Sequence, residues 1–140
     1  MRALLDTCVL SEILRPQGAD RVKMRVDAIA DDGLFVSAIT IGEIAKGVAL
    51  AEPGKKRERC AQYLASMERD FETRVIPVDA EVAHIWGKMA ALHRQEGRAL
   101  SVPGGLIAAC AIRHGLHVMT RNIKDFEGTG AMLINPWEDA

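Results

Sequence analysis

The chain has 140 residues, of which 49% are hydrophobic, and its formal net charge is −1. This length and composition predict a single domain over residues 1–140 with a sizeable core. No run reaches the roughly 20 apolar residues that a membrane-spanning helix needs. The balanced charge argues against the tight, nonspecific nucleic-acid binding of strongly basic domains.

The three cysteines, Cys8, Cys60 and Cys110, are odd in number and far apart, with no Cys-x-x-Cys pair. A disulfide framework and a zinc site are therefore not expected, and the thiols predict a cytoplasmic protein. We expect Cys60 and Cys110 to be small buried core residues. Cys8, close to Asp6, is expected to be partly exposed.

The first half of the chain alternates short apolar runs with longer segments of helical spacing. Residues 3–5 predict a buried strand, Asp6 follows it at the position of a helix N-cap, and that helix ends at 15–18. The further predicted elements are an amphipathic helix that contains Val22 and ends near Asp32-Gly33, a strand over 34–37, a helix that Thr40 opens and that ends before Pro53, and a charged helix over 55–71.

The second half continues the alternation. Its predicted elements are a strand over 75–78, a long helix capped by Asp79 and stopped by Gly97, a loop over 101–105, an apolar helix over 106–111 that ends at 114–115, and strands over 118–120 and 132–134. Strands separated by helices predict parallel β-α-β crossovers. The expected fold class is therefore α/β, with helices on both faces of a central parallel sheet.

Three carboxylates follow predicted strands. Asp6 comes directly after the first strand, Glu43 lies in the first turn of the helix after the second, and Asp125 comes shortly after the strand at 118–120. Parallel strands bring such residues to one edge of the sheet. Clustered carboxylates repel unless a cation binds them, and oxygen ligands suit Mg²⁺ or Mn²⁺. A metal ion held there can generate hydroxide and stabilise charge on a phosphoryl group in hydrolysis.

Each carboxylate also has an ordinary structural interpretation. Asp6 can be only a helix cap, Thr40-x-x-Glu43 is also a capping box, and Asp125 can be a turn residue. The basic run 55–59 is most often a solvated helix face, with an RNA-facing patch as the minority interpretation. No phosphate-binding glycine loop is present, which argues against a nucleotide-binding Rossmann domain.

The motifs taken together resemble those of PIN domains, specifically the VapC/FitB-like toxin branch of type II toxin–antitoxin systems. Any one of the matching segments is weak evidence, but they run in family order along nearly the whole chain. They are Leu4-Leu5-Asp6-Thr7 with Ser11-Glu12, residues 37–43 with Gly47, residues 105–111, Thr120-Arg121-Asn122 with Asp125-Phe126, and Asn135-Pro136-Trp137.

This resemblance implies a PIN-like three-layer α/β/α fold and a Mg²⁺- or Mn²⁺-dependent endoribonuclease toxin. The implied partners are an RNA substrate, a cognate VapB-like antitoxin and a second copy of the chain in a homodimer, with operator DNA reached only through the antitoxin and no membrane. By position, Asp6 and Asp125 match the acidic metal ligands, and Glu43 matches the glutamate that orients metal or water. The supporting polar residues are Thr7, Thr120 and Asn122.

The chain departs from the family pattern at Gly104, where the family places an Asp that is normally a principal metal ligand. Even changes around metal ligands cost roughly 10- to 100-fold in affinity, so we expect little or no nuclease activity. The replacement fits a natural pseudo-enzyme or a substitution selected because the active toxin harms its host, and the intact remaining motifs favour the second. The alternative function is that of a catalytically dead PIN domain that binds an antitoxin. Cys8 is a second departure, because Asn or Ser is more usual there.

Overall fold

The computed structural model describes residues 1–138, so that 139 and 140, the last two residues of the predicted domain, lie outside the described residues. The strands are β1 (Ala3–Leu5), β2 (Leu34–Ser37), β3 (Val75–Ile76), β4 (His117–Met119) and β5 (Met132–Ile134). They form one sheet in the order β3-β2-β1-β4-β5, and every neighbouring pair is parallel.

Helices connect the strands throughout the described part of the chain. They are α1 (Thr7–Leu14), α2 (Asp20–Asp27), α3 (Ala38–Leu50), α4 (Lys55–Asp70), α5 (Ala80–Gln95), α6 (Val102–His114) and α7 (Ile123–Phe126), with a short 3₁₀ helix at Asp31–Gly33. Among residues 1–138, no helix combines the length and the apolar character needed to cross a membrane.

Strand β1 lies at the centre of the sheet and is buried on both faces. Ala3, Leu4 and Leu5 are all 0% exposed. Leu4 packs with side chains of α5 and α6, whereas Ala3 and Leu5 pack with side chains of α1, α2 and α4. Because successive strand residues point to opposite faces, helices cover both sides of the sheet. The predicted three-layer α/β/α fold is confirmed.

Helix α3 begins earlier than the sequence predicted. It starts at Ala38 because the Ser37 hydroxyl oxygen accepts a hydrogen bond from the backbone N–H of Ile39 (3.1 Å). Thr40 is therefore the third helical residue, and Glu43 lies in the second turn. The predicted first-turn position of Glu43 is wrong, and so is the capping box that Thr40 and Glu43 would form.

Helix α6 also begins earlier, at Val102 rather than at residue 106. Ser101 caps it, since its hydroxyl oxygen accepts from the backbone N–H of Gly104 (3.1 Å). Pro103 lies in the first turn, where a missing N–H costs nothing. The helix ends as predicted at Gly115, whose φ of +66° is the left-handed conformation of helix C-caps. Gly104 is thus part of a helix and not of a loop.

Four smaller predictions also differ from the structure. Helix α2 ends at Asp27, and Asp31–Gly33 form a separate 3₁₀ helix, so the predicted helix end near Asp32-Gly33 is wrong. Strand β3 covers only two residues of the predicted 75–78, because Pro77 has no N–H to donate to a neighbouring strand. Helix α7 was not predicted, since four residues are too few for a periodic signal. Cys110 is buried as expected, whereas Cys60 is only half-buried.

Candidate functional site

A cavity of about 480 Å³ opens where the parallel strands end and the chain enters the following helices. The turn after β1, helices α3 and α6, and the segment around α7 surround it. Its lining residues are Asp6, Thr7, Cys8, Glu43, Ser101, Pro103, Gly104, Ile107, Asn122, Asp125 and Phe126. We call it the acidic cavity. Asp6, Glu43 and Asp125, which are distant in sequence, therefore lie around one space.

Hydrogen bonds fix both carboxylate oxygens of Asp6. The backbone N–H of Thr7 donates to Oδ1 (2.9 Å), and the hydroxyl of Thr120 donates to Oδ2 (2.8 Å). Thr120 is 0% exposed, and its oxygen accepts from the backbone N–H of Asn122 (3.0 Å), which leaves its proton for Asp6. Asp6 is thus a helix cap and a cavity residue at once. Thr120 is not among the lining residues of the cavity, but its hydroxyl orients the Asp6 carboxylate.

Cys8 lies beside the same carboxylate. Its sulfur is 3.8 Å from Asp6 Oδ2 and 3.6 Å from Thr120 Oγ1, and it accepts the backbone N–H of Arg121 (3.4 Å). Burial raises the pKa of the Cys8 thiol, and the charge of Asp6 adds to that rise. A thiol kept neutral is a poor nucleophile, so the arrangement gives Cys8 a packing and hydrogen-bonding role.

Glu43 reaches the cavity from the second turn of α3. Partial burial raises the pKa of this carboxyl, and the nearby charge of Asp6 raises it further, whereas Lys46 opposes the shift. Glu43 is therefore suited to accept a proton, because a raised pKa brings it closer to neutral pH.

Gly104 is the third residue of α6 and lines the cavity. A Cβ atom built at this position would lie 2.7 Å from the Ser101 hydroxyl oxygen and would meet no other atom within 4 Å. That oxygen is the helix cap, but it sits at the end of a short rotatable side chain. A side chain at position 104 is therefore compatible with the fold once Ser101 changes rotamer.

The side chains present do not form a complete metal site. Within residues 1–138, no group of three or more His, Cys, Asp or Glu side chains is close enough to hold a metal ion. The acidic cavity has three carboxylates around it, and none of its lining residues is Lys or Arg. One polar atom there, Thr7 Oγ1, is buried without a hydrogen-bond partner among the described residues. The donor set is thus too dispersed to hold Mg²⁺ or Mn²⁺ as it stands.

Sequence analysis did not predict four of the lining residues: Ser101, Pro103, Ile107 and Phe126. A signal for the first two was present, because Ser at the N-cap and Pro in the first turn are typical of helix starts. Placing the start of α6 at residue 102 would have brought its first two turns to the same edge as Asp6. Phe126 belongs to the matching segment that includes Asp125, but no role at the site was assigned to it.

Comparison with known proteins gives a consistent family assignment. The PIN domain family matches residues 3–130. Toxin FitB of Neisseria gonorrhoeae is 37% identical over 140 residues, covering 97% of this chain and 99% of that protein. VapC ribonuclease Y4jK of Sinorhizobium fredii is 33% identical over 138 residues, covering 98% of this chain and 99% of that protein. The solved structure of FitAB bound to an IR36 DNA fragment superposes with a TM-score of 0.89 at 34% identity, covering 99% of this chain and 97% of that one.

Proposed function

The chain belongs to the PIN domain family, and on that premise we propose that it is the toxin component of a type II toxin–antitoxin pair. The proposed parent activity is the hydrolysis of RNA phosphodiester bonds by a Mg²⁺- or Mn²⁺-dependent endoribonuclease in the cytoplasm. The observation that carries this proposal is that Asp6, Glu43, Asp125 and Gly104 line one cavity. The names of the relatives, a toxin and a VapC ribonuclease, support it.

The proposed roles are those that the family resemblance implies, and the shared lining of the acidic cavity supports them. Asp6 and Asp125 are the proposed ligands of the divalent ion, and an Asp at position 104 is the proposed third ligand. When bound, such an ion would supply charge stabilisation for the phosphoryl group. Glu43 is proposed to orient and deprotonate the attacking water, which its raised pKa favours. The supporting residues are Thr7, Thr120 and Asn122.

We further propose that Gly104 impairs this activity. Glycine offers no donor at a position that lines the acidic cavity, and the described residues contain no cluster of three potential ligands. Without a cation, a phosphate approaching Asp6, Glu43 and Asp125 meets only like charges. The chain as it stands should therefore neither hold the metal tightly nor cleave RNA at an appreciable rate.

The proposed partners come from the family and the solved relatives. FitAB was solved bound to a DNA fragment, which supports operator contact through an antitoxin for the present chain. We propose a VapB-like antitoxin, homodimerisation within the complex, and no direct DNA contact by this chain. The near-neutral net charge is consistent with the last point.

Restoring a carboxylate at position 104 tests the proposed function. Gly104→Asp, and Ser101→Ala/Gly104→Asp in case the hydroxyl obstructs the new side chain, should cleave RNA when Mg²⁺ or Mn²⁺ is present and arrest growth on expression. Gly104→Asn is the matched control, because it has nearly the same shape without the charge. If both Asp variants are folded and cleave no RNA with either metal, the catalytic assignment is wrong.

A second candidate function is that of a non-cleaving PIN domain that binds an antitoxin. The absence of a three-ligand cluster among the described residues favours it, and binding would survive the glycine at position 104. Co-purification with the product of the neighbouring gene should then recover a stable complex with the unmodified chain. Recovery of this chain alone would contradict both this candidate and the toxin–antitoxin pairing.

A further inference from the structure

A second cavity of about 370 Å³ adjoins the acidic cavity at its α7 side, and we call it the flanking cavity. Its lining consists of residues 121–125, Asn135 and Glu138. Asn122 and Asp125 line both cavities. The flanking cavity contains two cationic side chains, Arg121 and Lys124, whereas the acidic cavity contains none.

Arg121 is held in place without being neutralised. Its guanidinium carbon lies 5.0 Å from the centroid of the Trp137 ring, which is the range of a cation–π contact. Its backbone N–H donates to the sulfur of Cys8 (3.4 Å), on the floor of the acidic cavity. Within residues 1–138 it forms no ion pair with a carboxylate. Its charge is therefore available to an anion.

The ring under Arg121 is itself fixed by the segment around it. The backbone N–H of Trp137 donates to Asn135 Oδ1 (2.9 Å), and Arg21 donates to the Trp137 carbonyl (3.1 Å). Arg25 donates to the carbonyls of Asn135 (3.1 Å) and Glu138 (2.7 Å). Helix α2 thus anchors residues 135–138 and, through the ring, the position of the Arg121 guanidinium.

The charges around the two cavities differ in a way that matters for a polyanion. Asp6, Glu43 and Asp125 give the acidic cavity three negative charges. In the flanking cavity, two cations offset the carboxylates of Asp125 and Glu138. Single-stranded RNA carries one negative charge per nucleotide, and such strands are bound mainly through basic side chains. When the scissile phosphate of an RNA strand enters the acidic cavity, the cations that can attract the strand therefore lie in the neighbouring flanking cavity.

We propose that the flanking cavity is a phosphate subsite for single-stranded RNA, in which Arg121 and Lys124 bind the phosphate next to the scissile one. The planar fork of the Arg121 guanidinium matches two phosphate oxygens, and Trp137 is a positioning residue for it. The proposal rests on the ribonuclease function proposed above and specifies that the substrate strand leaves the acidic cavity along residues 121–125.

The unmodified chain suits the test, because RNA binding can be measured without cleavage. Fluorescence anisotropy with a short, fluorescein-labelled single-stranded RNA of mixed sequence, over a range of salt concentrations in EDTA, should show weaker binding for Arg121→Gln, on the order of tenfold. The slope of log affinity against log salt should become shallower by about 0.7 for loss of one phosphate contact. Lys124→Gln should reduce the slope similarly, with a smaller loss of affinity.

Three further variants separate position from charge. Lys88→Gln removes an exposed cation on α5 that lines neither the acidic nor the flanking cavity, and should leave RNA affinity and salt slope unchanged. Arg121→Lys should keep the slope but recover only part of the affinity, because an ammonium lacks the planar fork. Trp137→Phe should reduce affinity with the slope intact. Circular dichroism confirms that each variant is folded.

The outcomes separate this subsite from the ribonuclease proposal. If Arg121→Gln and Lys124→Gln bind RNA as Lys88→Gln does, the subsite is wrong, whereas Gly104→Asp can still show cleavage. A weaker Arg121→Gln with an unchanged salt slope also contradicts a phosphate contact, as does a loss confined to antitoxin binding. If the unmodified chain binds no RNA even at low salt, the subsite is wrong, whereas cleavage by Gly104→Asp still decides the ribonuclease proposal.

Discussion

At the scale of single residues, the two roles of Asp6 explain why its neighbourhood contains so many donors. As a helix cap it accepts from Thr7, and as a cavity residue it keeps a second oxygen that Thr120 orients. Both bonds come from groups within the fold rather than from solvent. The two bonds hold the carboxylate in one orientation at the edge of the acidic cavity, which is what the proposed role as a metal ligand requires.

Replacing Thr120 by Val should separate the support of Asp6 from the shape of the core. Val removes the hydroxyl at nearly constant volume, leaving Asp6 Oδ2 and the N–H of Asn122 without their partner. We expect a loss of about 1–3 kcal/mol in the free energy of unfolding, measured by urea denaturation. In the Gly104→Asp background kcat should fall more than KM rises. Thr120→Ser keeps the hydroxyl and should retain most of the free energy of unfolding and most of kcat. Equal losses in Thr120→Val and Thr120→Ser would contradict a role of the hydroxyl in supporting Asp6.

Glu43 gives a pH dependence whose sign follows from its raised pKa. The folded chain binds this proton more tightly than the unfolded chain does, so stability falls as pH rises from the ordinary glutamate pKa, about 4.3, through the raised value. Glu43→Gln should remove this fall. The urea midpoint of Glu43→Gln minus that of the unmodified chain should therefore increase from pH 4 to pH 7. The effect should be small because Glu43 is only partly desolvated and most of the residue is open to solvent, and a trend in the opposite direction would contradict the shift.

If Gly104→Asp is active as proposed, Glu43 should set the acidic limit of its catalysis. Cleavage should rise with pH as Glu43 loses its proton, and the midpoint of that rise reports the pKa of Glu43 in the active protein. Lys46→Gln should move this midpoint upward, since Lys46 lowers the pKa of Glu43. A pH profile of kcat measures the midpoint and its shift in Lys46→Gln. A midpoint unaffected by Lys46→Gln would show that another group titrates.

At the scale of elements, the packing of the first turn of α6 determines where a side chain at position 104 would point. A Cβ atom at the next residue, Gly105, would lie 2.9 and 3.0 Å from the Trp86 indole and 3.1 Å from Leu100. Helix α5 can therefore approach α6 closely only because residue 105 has no side chain. The contact fixes the first turn of α6 against the core and so sets the direction in which residue 104 faces.

Gly105→Ala should test that contact. The added methyl group meets a rigid ring, so overpacking should cost about 1–3 kcal/mol in the free energy of unfolding. The matched control is Gly87→Ala on α5, where a Cβ meets nothing within 4 Å. That substitution should instead stabilise the chain by up to about 1 kcal/mol through helix propensity. Denaturant titration of both variants checks the pair, and equal effects would contradict close packing at residue 105.

The same helix marks the limit of what sequence could predict. Gly104 and Gly105 are signals for a loop, yet the Ser101 cap and the Trp86 contact make both of them helical. By contrast, β1 and the Asp79-capped helix could be predicted because an apolar run or a cap is local information. The approach of Trp86 to Gly105 joins two elements, and no local pattern contains it.

At the scale of the whole molecule, one buried strand organises both the core and the candidate site. The side chains of β1 fill the two cores on either side of the sheet, and the residue directly after it is Asp6. That the three carboxylates would approach one edge could be predicted from strand–helix alternation. The flanking cavity could not, because it depends on Arg25 of α2 binding the segment around Trp137.

The central claim is that Asp6, Glu43 and Asp125 surround a divalent-ion site that lacks one carboxylate, and calorimetric titration with Mn²⁺ and Mg²⁺ tests it most directly. The unmodified chain and Gly104→Asn should bind weakly. Gly104→Asp, or Ser101→Ala/Gly104→Asp, should bind at least one ion per chain far more tightly, and Asp6→Asn should abolish the gain. A folded Gly104→Asp protein that binds neither ion better than Gly104→Asn would contradict the account.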